Sequence, residues 1–377
     1  MNKSNLIVLL IFLLISCKKE TKGIEKGFDF KNRIKTDYAT GFDILKEKDF
    51  TLIKLNTPWK NAIKPLRYLL LDKGKDIPKS IEYDELIRVP VDELVVTSTT
   101  HIPALETLGV LDKLVGFPNT QYISSVAARK LINNGRIQEL GKNESLNFEM
   151  LIDLSPDVVV GFGIDGTNKA LNNIKKSGIP VLYNSEWLEQ HALGRAEWIK
   201  FFGFLFKKEA VANKIFNKIK EDYFQAKNLA AKATNTPSVL SGMPYKDTWY
   251  LPYANSWAAQ FFEDANAAYL WSDKKGKGSL TLNFESVLER AKNADFWVAV
   301  ADYTNKQQLL NSNAHYEQFK MFNENSVYLS NKKGETGGLL FYELAPSRPD
   351  LILKDLIKIF HPELLPNHTL IFYDQLN

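Results

Sequence analysis

The stretch Leu146-Asn147-Phe148-Glu149 occurs a second time as Leu282-Asn283-Phe284-Glu285, 136 residues further along the chain. Each copy opens an apolar helical stretch. Each helical stretch leads to an aspartate and a run of strand-forming residues, at Asp157 in the first copy and at Asp295 in the second. A separation this large indicates two similar halves rather than a solenoid, whose repeats are several times shorter.

Strands alternate with helices around both copies. Leu94-Val95-Val96 and Val158-Val159-Val160 are typical of buried strands, and a helical segment follows each of them. The alternation resumes after Pro237 and continues to a final amphipathic helix from Pro349 to Phe360. This order predicts βαβ units around parallel sheets. The predicted fold class is therefore α/β, with two Rossmann-like lobes.

Two further regions complete the predicted architecture. Residues 188–232 lack proline and carry apolar residues at helical spacing, which predicts one long, rigid helix between the lobes, with a break near Gly203 left open. Residues 50–55 and 68–71 are typical of paired strands. The extension that contains them has no assigned functional role, and bracing of the first lobe is the interpretation left open. The predicted segments are a signal peptide (1–16), a tether (17–37), an N-terminal β-rich extension (38–90), an N-terminal lobe (91–187), the linker helix (188–232) and a C-terminal lobe (233–377).

The N-terminus predicts export. Lys3 precedes an uninterrupted apolar run over residues 6–15, which is too short to span a bilayer and fits a secretory signal. Leu14-Ile15-Ser16-Cys17 matches the bacterial lipobox, and Cys17 is the only cysteine. We therefore expect a lipidated Cys17 and a folded part tethered to a membrane in the periplasm or cell envelope. An ordinary signal peptide with a chance cysteine is the alternative.

Composition and motifs argue against nucleic acid binding and against catalysis. The formal net charge is only +4, and no basic stripe is interleaved with aromatic residues. The sequence has neither a Gly-x-Ser-x-Gly nucleophile elbow nor a phosphate-binding P-loop. Gly161, Gly163 and Gly166 match Gly-x-Gly-x-x-Gly, but a cytosolic dinucleotide is not available to an exported chain, so we interpret them as a loop. An exported α/β enzyme is the disfavoured alternative, and no cofactor is predicted.

A series of short motifs runs from about Val91 to the C-terminus. They are Ala104-Leu105-Glu106-Thr107-Leu108-Gly109, Asn147-Phe148-Glu149, Leu154-Ser155-Pro156-Asp157-Val158-Val159, Asn283-Phe284-Glu285 and Arg348-Pro349-Asp350-Leu351. In this order and spacing, the chain resembles the ABC-importer substrate-binding proteins that carry iron–siderophore, haem and cobalamin ligands. The resemblance implies a monomeric receptor that holds a metal chelate between its lobes and delivers it to an ABC permease dimer. Ferric siderophore is the first expectation, because that branch is the commonest, with cobalamin or haem as alternatives.

The resemblance also implies a role for the repeated glutamates. Glu149 and Glu285 are expected to project from the two lobes and to pair with arginines of the permease, since carboxylates and arginines form bidentate contacts that fix orientation. In the structural alternative, Asn147 and Asn283 cap the helices and the glutamates complement the helix dipoles. A third alternative is a surface receptor that passes its ligand to an outer-membrane transporter, in which case both glutamates would be dispensable.

Ligand contacts are expected in the loops that follow strand ends, where open α/β sheets bind their ligands. The predicted contacts are Thr100, His101, Asn119, Tyr122, Trp187, Trp249, Tyr250, Trp257, Tyr303, Tyr342 and Arg348, and the same loops offer Phe162, Glu186 and Glu343. Aromatic walls with a few polar anchors suit a large chelate. Packing within a lobe is the alternative for Trp249 and Tyr250, and a structural role is the alternative for His101 and Arg348. Only His101 of five histidines lies at an expected site, so no site for a bare metal ion is predicted.

Overall fold

The computed structural model describes residues 32–79 and 81–377. The predicted signal peptide, Cys17 and most of the predicted tether lie outside these residues. Within the described ranges, no helix combines the length and the apolar character needed to cross a membrane.

A five-stranded sheet precedes the first lobe. Its strands lie side by side in chain order; the first four are antiparallel, and the fifth is parallel to the fourth. They are β1 (Arg33–Ile34), β2 (Phe42–Lys46), β3 (Phe50–Leu55), β4 (Leu66–Asp72) and β5 (Glu85–Val89). The predicted pairing of residues 50–55 with 68–71 is confirmed, with Ile53 opposite Tyr68. β1 belongs to this sheet although the sequence assigned its residues to the tether.

The first lobe is built on a parallel sheet. Its elements are β6 (Leu94–Val96), α1 (Ile102–Thr107), β7 (Leu114–Phe117), α2 (Val126–Asn133), β8 (Gln138–Glu139), β9 (Gly141–Lys142), β10 (Ser145–Leu146), α3 (Phe148–Leu154), β11 (Val158–Gly161), α4 (Lys169–Lys176) and β12 (Val181–Tyr183). The strand order is β12-β11-β6-β7-β8, and β9 and β10 form a separate antiparallel pair. Every residue of β6 and β11 is buried, as expected for parallel strands covered on both faces.

The segment predicted as one helix contains three. They are α5 (Ala192–Glu197), α6 (Ile199–Leu205) and α7 (Glu209–Ala230), and the long helix is therefore 22 residues, shorter than predicted. The break after α6 is located at Lys207, whose φ of 54° is left-handed, rather than at Gly203. All seven residues of α6 are buried, including Lys200. A helix that is apolar on every side packs within the core, and this separates α6 from the amphipathic α7.

The second lobe repeats the α/β pattern. Its elements are β13 (Ser238–Ser241), β14 (Met243–Tyr245), β15 (Thr248–Pro252), α8 (Trp257–Asp264), β16 (Ala268–Tyr269), β17 (Ser279–Leu282), α9 (Phe284–Ala291), β18 (Phe296–Val300), α10 (Lys306–Ser312), α11 (Lys320–Asn323), β19 (Val327–Ser330), α12 (Leu340–Leu344), α13 (Pro349–Phe360) and β20 (Asp374–Gln375). The main sheet has the order β16-β13-β18-β19-β20, parallel except for β20. β14, β15 and β17 form a smaller antiparallel sheet. The predicted α/β fold with two lobes is confirmed.

The repeated sequence unit folds in the same way in both lobes. In each lobe an asparagine-capped helix, α3 or α9, leads into a central strand, β11 or β18. The aspartate before that strand then accepts hydrogen bonds at the start of the neighbouring strand. Asp157 accepts from the backbone N–H of Asp92 at 2.8 Å, and Asp295 accepts from the backbone N–H of Ser238 at 2.9 Å. The repeat therefore encodes both a strand and its register with a neighbour.

Two buried glutamates attach the N-terminal sheet to the helices between the lobes. Glu197, which is fully buried, accepts hydrogen bonds from the backbone N–H groups of residues 37, 38 and 39 at 2.7–2.8 Å. Lys200 Nζ lies 2.6 Å from the same carboxylate. Glu189 accepts from the backbone N–H of Gly41 at 2.8 Å and from Trp198 Nε1 at 2.9 Å. The N-terminal sheet is therefore attached directly to the segment between the lobes.

Candidate binding site between the lobes

Three cavities lie in a row where the two lobes meet. The lateral cavity has a volume of about 860 Å³, the central cavity about 530 Å³ and the loop cavity about 280 Å³. The lateral and central cavities share Thr100, Arg195 and Pro346, and the central and loop cavities share Ser98, Thr99 and Tyr342. Each pair therefore has common walls, and the turn at residues 97–101 after β6 borders all three.

The lateral cavity is mostly apolar and is also lined by charged side chains, of which Glu186 and Glu343 are buried. Its walls come from α1, from the helices α6 and α7, and from the segment around α12. The apolar side chains include Pro103, Trp198, Ile199, Phe202, Ile215, Ile219, Leu340 and Leu344, and the charged ones include Glu106, Glu186, Arg195, Lys214, Lys218, Glu343 and Arg348. An apolar enclosure with a few polar groups is the usual form of a small-molecule site.

His101 lies in the wall of the lateral cavity and is only 2% exposed. Its ring packs against Phe202, with 5.4 Å between the ring centroids. Burial lowers the pKa of His101 to about 4, although the nearby Glu186 carboxylate opposes the shift. The imidazole is therefore neutral at neutral pH. In the part of the chain that the structure describes, Nδ1 has no hydrogen-bond partner.

Arg195 connects the lateral and central cavities. Its Nε donates to Glu186 Oε2 at 2.8 Å, and its guanidinium group lies 4.8 Å from the centre of the Trp257 ring. The carboxylate comes from the turn after β12 and the indole from α8, so Arg195 bridges the two lobes. Trp257, a predicted contact, lines the central cavity through this arrangement.

Arg348 also lines the lateral cavity, but its fork is already engaged. Nε donates to Asp350 Oδ1 at 2.9 Å, and a terminal nitrogen donates to Asp350 Oδ2 at 2.7 Å. Asp350 is fully buried at the start of α13. Arg348 is a predicted ligand contact, and in this structure its guanidinium group makes a forked contact to the protein itself.

A direct contact joins the lobes between the lateral and loop cavities. The Glu343 carboxylate of α12 accepts hydrogen bonds from the backbone N–H groups of Ser124 at 2.5 Å and Ser125 at 2.8 Å, just before α2. Ser124 Oγ also donates to the carbonyl of Gly338 at 3.0 Å. The backbones approach so closely that a methyl group added to Gly338 would lie 2.0 Å from the carbonyl oxygen of Tyr122. We call this contact the lobe latch.

The position of Glu343 changes its acidity. Burial raises the pKa of Glu343 to about 7, while the two backbone donors act in the opposite direction and the nearby Glu106 carboxylate adds to the rise. Glu106 also accepts a hydrogen bond from Ser125 Oγ at 2.6 Å. The lobe latch therefore contains a carboxyl group that gains or loses its proton close to neutral pH.

The structure gathers seven of the eleven predicted ligand contacts around the row of cavities. Thr100, His101 and Arg348 line the lateral cavity, Thr100, Trp257 and Tyr342 the central one, and Asn119, Tyr122 and Tyr342 the loop cavity. Trp187, Trp249, Tyr250 and Tyr303 line none of the three. Thus the loops after β6 and β7 and the region around α12 supply residues to the cavity walls, and their contact with a ligand stays a prediction.

Trp249 was wrongly predicted as a ligand contact. It is fully buried, its ring lies 5.2 Å from that of Trp297, and its Nε1 donates to the carbonyl of Ser241 at 3.1 Å. The reason is strand alternation, because β15 points Trp249 into the lobe and its neighbour Tyr250 out to solvent. Tyr303 is half-buried, and its carbonyl accepts from Asn331 Nδ2 at 2.8 Å.

Both repeated glutamates are exposed near the start of a helix. Asn147 accepts from the backbone N–H of Met150 at 3.1 Å, and Asn283 accepts from that of Ser286 at 2.9 Å, so both asparagines are N-caps. Glu149 and Glu285 occupy the second helical position, where a carboxylate complements the helix dipole. The capping alternative is therefore realised, and the carboxylates are also free to meet a partner.

The sequence interpretation missed Arg195 and Phe202. Both fall in the segment that was predicted as one long linker helix, with a break near Gly203 left open, and both line the lateral cavity. A signal was present for Arg195, since an arginine within Ala192-Leu193-Gly194-Arg195-Ala196 is unusual in an apolar run. Within residues 32–79 and 81–377, no group of three or more His, Cys, Asp or Glu side chains is arranged to hold a metal ion.

Known proteins share the sequence pattern and the fold of this chain. An uncharacterized lipoprotein of Methanocaldococcus jannaschii is 27% identical over 328 residues, 82% of this chain and 76% of that protein. A possible iron-binding, periplasmic solute-binding protein from Staphylococcus epidermidis has the same fold, with a TM-score of 0.58 and 18% identity over 72% of this chain and 99% of its own.

A protein of an ABC-type Fe³⁺-hydroxamate transport system from Saccharomonospora viridis is also similar. Its TM-score is 0.53 and its identity 17%, over 72% of this chain and 94% of its own. The profile of the periplasmic binding protein family matches residues 94–333, which is more than half of the chain. These residues include the first lobe from β6, the helices between the lobes, the second lobe as far as β19, and most of the walls of the three cavities. The chain therefore belongs to the periplasmic binding protein family.

Proposed function

We propose that this chain is a membrane-tethered receptor that captures a metal chelate, with ferric siderophore as the first candidate, and presents it to an ABC permease. The observation that carries the proposal is the row of cavities lined by both lobes. Two of the cavities, at about 860 and 530 Å³, fall in the size range of small-molecule sites. Because the walls come from both lobes, a ligand there would hold the lobes together and report its presence through their arrangement.

The character of the cavities supports a chelate rather than a free ion. A bare ion needs several converging ligands, whereas the lateral cavity offers mostly apolar walls interspersed with charged side chains. A chelate has its own metal ligands and presents a mixed organic surface to the protein. The fold similarity to an iron-binding protein and to a hydroxamate-system protein adds support for ferric siderophore.

The membrane tether is part of the same proposal. Cys17 lies in a lipobox-like sequence, and a relative with 27% identity is a lipoprotein. Acyl chains on Cys17 would keep the receptor at the membrane that carries its permease.

Tryptophan fluorescence tests the ligand directly. The full chain, purified in detergent, is titrated with a ferric hydroxamate, a ferric catecholate, haem and cobalamin. We expect saturable quenching, strongest with one of the ferric siderophores, because Trp198 and Trp257 line the lateral and central cavities. Trp257→Phe should reduce the quenching, whereas Trp271→Phe, a substitution at a buried core residue, should retain it. Absence of both quenching and thermal stabilisation with all four chelates would refute the proposal.

Haem is a second candidate because of His101. A buried imidazole whose pKa is held at about 4 stays neutral, and neutral imidazole is a common axial ligand of haem iron. If haem is the ligand, its Soret band should shift on binding and His101→Ala should abolish that shift. A Soret spectrum that is identical with and without His101 would remove haem ligation by this residue from consideration.

A further inference from the structure

The loop that joins β11 to α4 carries the unexplained Gly-x-Gly-x-x-Gly match. Its first residue, Phe162, lines the loop cavity. Gly163 and Gly166 lie on the other side of the loop, against Trp59. Trp59 belongs to the connection between β3 and β4 of the N-terminal sheet, outside the residues that match the family profile.

The contact between Trp59 and this loop depends on the absence of side chains. A methyl group built on Gly166 would lie 3.0 Å from Trp59 Cζ2 and 3.3 Å from Trp59 Nε1. One built on Gly163 would lie 3.5 Å from Trp59 Cβ and 3.1 Å from Tyr183 Cε1. Gly166 therefore leaves room for the indole ring, whereas Gly163 is in ordinary contact with Trp59 and leaves room for the ring of Tyr183.

Trp59 packs against Tyr183, and two further contacts join the N-terminal sheet to the same part of the first lobe. Its ring meets Tyr183 edge to face, with centroids 5.3 Å apart and an interplanar angle of 70°. The backbone N–H of Tyr183 donates to the hydroxyl of Tyr68 on β4 at 2.9 Å. Lys175 of α4 pairs with Glu85 of β5 at 2.6 Å. The N-terminal sheet thus contacts α4, which follows the loop, and β12, which pairs with the strand β11 that precedes it.

We propose that Trp59 is a positioning residue for the loop at residues 162–168, and that the N-terminal sheet thereby helps to set the shape of the loop cavity. Trp59 does not line the cavity, so it acts through the loop that carries Phe162. The proposed influence on ligand affinity rests on the proposed function. The positioning of the loop does not depend on any ligand.

Hydrogen exchange of the full chain tests the positioning. In Trp59→Ala, amide exchange in a peptide covering residues 161–172 should accelerate about tenfold or more. Ile63→Ala is the matched control, because Ile63 lies in the same connection and is 97% exposed. Gly166→Ala, which leaves Trp59 in place but fills its groove, should accelerate the same peptide, and Trp59→Phe should retain most of the protection.

Ligand binding provides the second measurement. The chelate with the strongest binding to the native chain should bind Trp59→Ala at least fivefold more weakly and Ile63→Ala unchanged. Unaltered exchange of residues 161–172 in both Trp59→Ala and Gly166→Ala would overturn the proposal, whether or not any chelate binds. Faster exchange with unchanged affinity would overturn the role in shaping the cavity. Failure of every chelate to bind the native chain would instead refute the proposed function.

Discussion

At the scale of single residues, Glu343 is the carboxylate that links the lobes. Its pKa of about 7 in the folded chain lies above its ordinary value of 4.5, because burial penalises the charged form. A raised pKa means that the stabilisation is complete below pH 4.5 and is lost as pH rises through about 7. Mild acid therefore stabilises the folded chain at this residue.

Replacement of Glu343 should remove this pH dependence. At each pH, the quantity to compare is the free energy of unfolding of the native chain minus that of Glu343→Gln. This difference should fall by at most about 3 kcal/mol between pH 5 and pH 8. Urea denaturation at several pH values measures the difference. Glu335→Gln, a substitution in the exposed part of the adjoining loop, should leave the native profile intact. A difference that stays constant from pH 5 to pH 8 would contradict the prediction.

The pH dependence of stability at His101 runs in the opposite direction to that at Glu343. Its folded pKa of about 4 lies below the ordinary 6.5, so its stabilisation is present above pH 6.5 and is lost as pH falls toward 4. Between pH 7 and pH 4, the free energy of unfolding of His101→Gln should therefore fall less than that of the native chain. The two losses should differ by up to about 3 kcal/mol. The exposed His315 supplies the control His315→Gln. Identical pH profiles for His101→Gln and the native chain would show that the imidazole is not held neutral.

At the scale of elements, the sequence predicts strands and caps better than the directions of side chains. The buried runs at residues 94–96 and 158–160 and the capping asparagines were recognisable because periodicity and short-range hydrogen bonding are local. Trp249 could not be assigned, because the face it occupies depends on the pairing of β15 with β14 and β17. The break occurs at Lys207, which is neither a proline nor a glycine, so the sequence gives no local signal at that position. Long-range packing decided both outcomes.

The attachment of the N-terminal sheet through Glu197 can be tested at this scale. Glu197→Ala leaves three backbone N–H groups and the buried Lys200 without their acceptor, so we expect a loss of about 3–5 kcal/mol in the free energy of unfolding. Amide exchange at residues 37–41 should accelerate as well. Glu221→Ala, at an exposed position on α7, should change stability by less than about 0.5 kcal/mol. A loss below 1 kcal/mol for Glu197→Ala would show that the carboxylate is not the main attachment.

At the scale of the whole molecule, the two lobes present the same exposed carboxylate at the start of equivalent helices. A permease dimer has two equivalent halves, so one receptor with two similar acidic corners could contact both at once. Such contacts fix orientation through paired charges. This docking role for Glu149 and Glu285 stays a prediction.

Charge reversal tests docking against the outer-membrane alternative. In Glu149→Lys with Glu285→Lys, uptake of the bound chelate should be lost, while the affinity of the purified receptor should stay within about twofold of native. The matched control is Asp153→Lys with Glu289→Lys, which makes the same charge change at exposed positions on the same two helices. Full uptake by the first pair, or equal loss in both pairs, would exclude docking through the repeated glutamates.

Glu189 and Glu197 bind the backbone of residues 37–41, and this attachment has a mechanical consequence. A pull transmitted along the chain from a lipidated N-terminus would first reach β1 of the N-terminal sheet and then residues 37–41, which Glu189 and Glu197 hold. None of residues 33–41 lines the lateral, central or loop cavity, so the tether would load the receptor away from the cavity walls.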